Sequence, residues 1–124
     1  MPDPLGSIFY EKWAHNKLVA PENFEVEGVG KDSIPLALDL SLIDAMPRFS
    51  DEQAFTMCRK MARSLGMMVG GSAGGNVHAA LELAMSLRGP ATVVAVLPDS
   101  GVKYLSKIFN DEWMDAKGYK NYNA

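Results

Sequence analysis

The run Gly70-Gly71-Ser72-Ala73-Gly74-Gly75-Asn76 sets one hydroxyl among four glycines, between an apolar strand-like segment and a helical pattern that begins near Val77. Glycines let a backbone approach a ligand without a Cβ in the way, and a helix start offers unpaired N–H groups at the positive end of its dipole. Such a turn suits the polar edge of a small bound molecule. A second small polar loop, Pro98-Asp99-Ser100-Gly101, ends the next apolar run, and a third turn, Gly28-Val29-Gly30, lies upstream. Each has a plain structural alternative. Ser72 can cap a helix by accepting from N–H groups two or three residues on, Asp99 can cap a helix starting near Val102, and Gly28 and Gly30 can form an ordinary turn.

Other reactive side chains are sparse. Cys58 is the single cysteine, so no internal disulfide forms, and on its expected helix it reads as a small buried hydrophobe rather than a nucleophile. His15 and His78 have no partner at metal-ligand spacing, and Asp39, Asp44, Glu82 and Glu112 make no acid/base pair, so no catalytic residue and no metal site are assigned. The glycine run lacks the lysine of a phosphate-binding P-loop and the register of a dinucleotide fingerprint, which argues against a nucleotide site.

These groups are carried by 124 residues with 48% apolar and 22% charged content, the profile of one globular domain. A net charge of -3 with scattered basic residues leaves no footprint for nucleic acid or an anionic membrane surface. No apolar stretch approaches the roughly 20 residues of a membrane span, no secretory leader is visible, and a cytoplasmic location is expected.

The positioning elements follow from periodicity. A short helix is expected over 8–17, an alternating strand over 24–27, a short turn over 36–40 and an extended stretch over 43–49. Ser50 then caps a helix, with Asp51 and Glu52 in its first turn and Gln53 at the capping-box position. Ala54, Phe55, Met57, Cys58, Met61, Ala62 and Leu65 recur at helical spacing up to Gly66. A strand over 67–70, a helix from about Gly74 to Leu87 and an apolar run over 92–97 then read as strand, helix, strand with a right-handed crossover. A further helical pattern runs from Val102 to about Lys117, with a break near Asn110 and its aromatics packed inward. The expected class is α/β, a three-layer, Rossmann-like, open and mainly parallel sheet with flanking helices, its ligand loops beyond the carboxyl ends of two strands.

Four segments in this order carry a resemblance: Asp3-Pro4-Leu5-Gly6-Ser7; Val26-Glu27-Gly28-Val29-Gly30-Lys31-Asp32-Ser33-Ile34-Pro35; Gly70-Gly71-Ser72-Ala73-Gly74; and Leu97-Pro98-Asp99-Ser100-Gly101, continuing through Tyr104 to Trp113-Met114. Together they resemble the cystathionine β-synthase and cysteine synthase family of fold-type II pyridoxal-phosphate enzymes, in the C-terminal part of the catalytic domain. The final segment favours the cystathionine β-synthase branch, and the cysteine synthase loop typically reads Gly-Ile-Ser-Ser-Gly at 70–74. The resemblance implies a β-replacement enzyme that exchanges the β-substituent of serine or a related amino acid for a thiol, with pyridoxal 5'-phosphate as cofactor. It further implies that Ser72 hydrogen-bonds the cofactor's pyridine nitrogen, that Pro98 and Asp99 line the ring end, and that Gly28 and Gly30 belong to a substrate-side loop.

Three family motifs do not occur: the Ser-x-Lys-Asp-Arg-like attachment lysine, the Thr-Ser-Gly-Asn-type substrate loop and the Gly-Thr-Gly-Gly-Thr phosphate loop. The resemblance therefore describes an incomplete catalytic domain, inactive alone, whose partners are small amino-acid substrates, an upstream half-chain and further copies of itself at an uncovered sheet edge. The alternative is a binding or regulatory half-domain without catalysis.

Overall fold

A computed structural model describes residues 1–122. Its longest regular elements are two helices packed on each other, α2 (Asp51–Leu65) and α3 (Gly71–Ser86). The start of α2 is encoded locally. Ser50 Oγ accepts from Gln53 N, and the Gln53 side chain accepts from Ser50 N, closing the expected capping box. The helix ends at Gly66, whose φ of 67° is the left-handed conformation that glycine adopts without a Cβ penalty. Its buried face is Ala54, Phe55, Cys58 and Met61.

The second helix begins earlier than its sequence suggests. Gly70 is the N-cap and Gly71 to Gly75 are helical and buried, so the glycine run is the first turn of α3 rather than a loop before it. Close packing is the reason. A Cβ on Gly74 would overlap the Ala54 carbonyl oxygen and stand 2.5 Å from Cys58 Sγ, one on Gly75 would enter the Phe49 ring, and one on Gly71 would meet the Phe55 ring at 3.1 Å. Glycine is a poor helix former, and here the approach of α2 overrides that preference.

The sheet consists of β1 (Asp3–Pro4) and β2 (Arg48–Phe49), paired in parallel with Asp3 opposite Arg48. The α/β class stands, while three strand expectations change. Residues 24–27 form no strand, because the Asp51 carboxylate takes the Glu25 and Val26 N–H groups at 2.8 and 3.0 Å. The strand expected at 67–70 reduces to one antiparallel bridge between Val69 and Ser100. The run 92–97 forms no strand, and Val94 and Val96 are 83% and 68% exposed. A strand exists only by pairing, and among the described residues no backbone pairs with this run.

The remaining elements are α1 (Phe9–His15), a 3₁₀ turn at Leu40–Leu42, a second at Gly101–Tyr104 and α4 (Asp111–Ala116). The break near Asn110 occurs as expected: its side chain accepts from Trp113 N and caps α4. Phe55 meets Trp113 and Tyr119 edge-on at ring separations of 5.9 and 5.4 Å, joining α2 to the C-terminal segment, so these aromatics serve packing. Leu105 departs from the inward pattern and is exposed.

Candidate functional site

The two small polar loops face one another. Gly70 N donates to Asp99 O at 3.2 Å and Gly101 N donates to Met68 O at 3.0 Å, on either side of the Val69–Ser100 bridge. A Cβ on Gly70 would collide with the Asp99 carboxylate, so only glycine lets this backbone pass.

Ser72 is the second residue of α3 and is 5% exposed. It does not cap the helix: the N-cap is Gly70 and no side-chain cap bond is made. The Gly28 turn comes over Ser72, with the Cβ position of Gly28 4.0 Å from Ser72 Oγ. Gly28 and Gly30 both take left-handed φ values, 81° and 68°, so this turn depends on glycine.

Asp99 is not a cap either. Ser100 takes that role, accepting from Val102 N. The Asp99 carboxylate instead accepts from Tyr104 Oη at 2.9 Å and lies 3.7 Å from Lys103 Nζ. Its other oxygen, Oδ1, is buried without a partner among the described residues. Burial, then the bond to Asp99, push the Tyr104 hydroxyl up to about 12, so it stays a donor. Pro98 is exposed beside it.

Cys58 lies under the site with Sγ donating to Gly70 O at 3.2 Å, and burial pushes its thiol up to about 12, an inert rather than nucleophilic cysteine. His78 Nε2, a buried nitrogen with no hydrogen-bond partner among the described residues, stands 3.4 Å from Glu82 Oε1 one turn on. Among the described residues no group of three metal-ligating side chains forms. No described helix is long and apolar enough to cross a membrane.

Sequence reasoning missed Tyr104 as a site residue. Its spacing five residues after Asp99 is the signal that could have found it, since a 3₁₀ turn returns the phenol to the carboxylate.

A family model for pyridoxal-phosphate dependent enzymes matches residues 3–99. The chain belongs to that family. Cystathionine β-synthase of Oryctolagus cuniculus is 38% identical over 117 residues, 94% of this chain and 21% of that protein. An O-acetylserine dependent cystathionine β-synthase from Helicobacter pylori shares the fold at a TM-score of 0.71 and 36% identity, over 86% of this chain and 32% of that one. An O-ureido-L-serine synthase gives a TM-score of 0.75 at 26% identity, over 92% and 37%. The chain thus spans about a fifth of the rabbit relative and about a third of the two solved chains.

The family is pyridoxal-phosphate dependent, and the residues present fit one edge of that group. A buried serine, a buried carboxylate oxygen without a partner among the described residues, and a glycine turn against the serine supply polar groups suited to one edge of a planar ring. Three lysines are engaged by carboxylates: Lys107 and Lys117 by Glu27 and Glu25 at 2.6 and 2.5 Å, and Lys103 by Asp99 at 3.7 Å.

Proposed function

We propose that this chain forms the ring-nitrogen side of a pyridoxal 5'-phosphate site in a β-replacement enzyme of sulfur amino-acid metabolism. The reaction is of the cystathionine β-synthase kind, joining serine and homocysteine, and the chain acts only with the segment that supplies the attachment lysine and phosphate cradle. The observation that carries this reading is Ser72, a buried residue at a helix start whose side chain makes no cap bond and which lies beneath the Gly28 turn. When bound, the cofactor supplies an electron sink for the substrate's α-carbon. Ser72 donates to the ring nitrogen and, being neutral, does not favour its protonation as a carboxylate would. That restraint suits β-replacement over transamination. Pro98 and Asp99 bound the ring end, the Asp99–Tyr104 bond fixing the carboxylate. Gly28 and Gly30 close the substrate side.

The completing segment has a seat. A groove of about 970 Å³, lined by Trp13, Ile43, Ala79, Leu83, Val94 and Val96 among others, runs between α3 and residues 93–96. Its apolar walls and the run 92–97, which pairs with no strand among the described residues, suit an added strand. In isolation the same surface supports self-association. A cytoplasmic setting belongs to the same proposal, with Cys58 single and buried.

The test is complementation. The chain is mixed with a polypeptide comprising the other two thirds of a family catalytic domain, and cofactor absorbance and cystathionine formation are followed. Turnover in the mixture, and in neither part alone, is expected. A stoichiometric, borohydride-reducible cofactor adduct on this chain by itself would overturn the reading. O-acetylserine with sulfide, assayed in the same mixture, distinguishes a cysteine synthase activity.

A further inference from the structure

The Gly28–Gly30 turn carries two glycines, so its own backbone does little to choose one conformation. Contacts from elsewhere must fix it, and they converge on one short segment. Ser7 Oγ accepts from Lys31 N at 3.2 Å and from Phe9 N at 3.3 Å, and Ile8 N donates to Lys31 O at 3.1 Å. Both backbone polar groups of Lys31 are therefore tied to the Ser7–Ile8 step. Gly30 lies directly against the same place: a Cβ there would stand 2.5 Å from Pro4 Cγ and 3.0 Å from Ser7 Cβ. At the other end of the turn, Gly28 faces Ser72.

Ser7 is the rigid partner. It is 3% exposed, and its N–H donates to Pro4 O at 3.1 Å, directly after β1 is paired with β2. Asp3, fully buried, accepts from Tyr10 N at 3.0 Å through Oδ2 and so pins the far side of the 3–10 turn. Leu5 N donates to Phe49 O at 2.8 Å. A well-anchored hydroxyl thus holds a pliable turn, and the direction of control runs from Ser7 to the turn.

We propose that Ser7 is a positioning residue: through Lys31 it sets the height of the Gly28–Gly30 turn over Ser72, and thereby the closeness with which the amino-acid substrate is held. The inference rests on the reading of that turn as the substrate side of the site. Ser7 touches neither substrate nor cofactor. Its removal leaves the ring contacts intact and leaves two backbone N–H groups without their acceptor.

The test has two arms. In the complemented enzyme, Ser7→Ala is expected to raise the KM for the amino-acid substrate about five- to tenfold, the equivalent of one hydrogen bond, while kcat stays within about twofold and the cofactor spectrum is unchanged. Ser7→Cys, of the same shape but a weaker acceptor, should fall between. An unchanged KM, or a fall in kcat with cofactor release, overturns the proposal. In the chain alone, amide exchange at Lys31 should quicken at least about fivefold in Ser7→Cys, with the α2 amides unmoved, and equal exchange overturns it. This second arm needs no catalysis and uses the milder variant. Failure of complementation would therefore count against the functional reading and still leave the Ser7–Lys31 link decided by exchange.

Discussion

Ser72 Oγ lies 4.0 Å from the position a Cβ on Gly28 would take, bringing together a helix start and a turn that are 44 residues apart in the chain. Two substitutions at Ser72 separate its roles. Because Ser72 makes no cap bond, Ser72→Ala should change the stability of the chain by less than about 0.5 kcal/mol, where loss of a true cap costs about 1 kcal/mol. In the complemented enzyme the alanine should lower β-replacement by up to about tenfold, the worth of one hydrogen bond. Ser72→Asp should lower it further, since its charge favours a protonated ring nitrogen. Turnover and thermal melts of both variants check this, and an active aspartate beside a crippled alanine would remove Ser72 from the cofactor.

The α2–α3 contact predicts opposite outcomes at two glycines. A Cβ on Gly74 meets the Ala54 carbonyl, which is backbone and cannot swing aside, so Gly74→Ala should cost about 1–3 kcal/mol or more. Gly89 has no atom within 4 Å of its Cβ position, and Gly89→Ala should be neutral or stabilise by up to about 1 kcal/mol. Urea midpoints of the two variants read the difference directly.

Alkaline pH should weaken the fold. The Cys58 thiol, pushed up from 9.0 to about 12, and the Tyr104 hydroxyl, pushed up from 10.0 to about 12, keep their protons in the folded chain. Burial is the main cause for both, and Tyr119 shifts the same way. The unfolded chain loses these protons first, so between about pH 9 and 12 the folded state binds more protons and stability falls as pH rises. Melting temperatures measured from pH 8 to 11 should decline accordingly. In the same series Cys58 should resist alkylation at pH 8 until the chain unfolds, and rapid native-state labelling would contradict its burial.

The groove between α3 and residues 93–96 predicts a surface substitution with no folding cost. Val94 is 83% exposed, so Val94→Glu should leave the melting temperature within a few degrees, a stability change of about 0.5 kcal/mol or less. It should nevertheless suppress both self-association in sedimentation and complementation by the missing segment. Unaltered association would locate the contact elsewhere.

Legibility from sequence followed the range of the interactions involved. The α2 start was readable because Ser50 and Gln53 satisfy each other three residues apart, and the α4 start because Asn110 bonds Trp113 N at the same spacing. The four motifs sufficed to indicate the family. The strand–helix–strand reading also predicted that the loops at 70–76 and 98–101 meet, as the Gly70–Asp99 bond shows.

Distant atoms decided the rest. The helix start moved from Gly74 to Gly71 because Ala54, Cys58, Phe55 and Phe49 press on those glycines, a packing fact that helix propensity does not contain. Asp99 passed its cap to Ser100 and turned to Tyr104 once a 3₁₀ turn brought the phenol within 2.9 Å. The valine run at 92–97 has the composition of a central strand and remains unpaired, since composition supplies the preference for a sheet while the hydrogen bonds that make one belong to another backbone. Capping, turn chemistry and motif were fixed by neighbours along the chain. Pairing, close packing and the approach of the Gly28 turn to Ser72 required residues brought together only by folding.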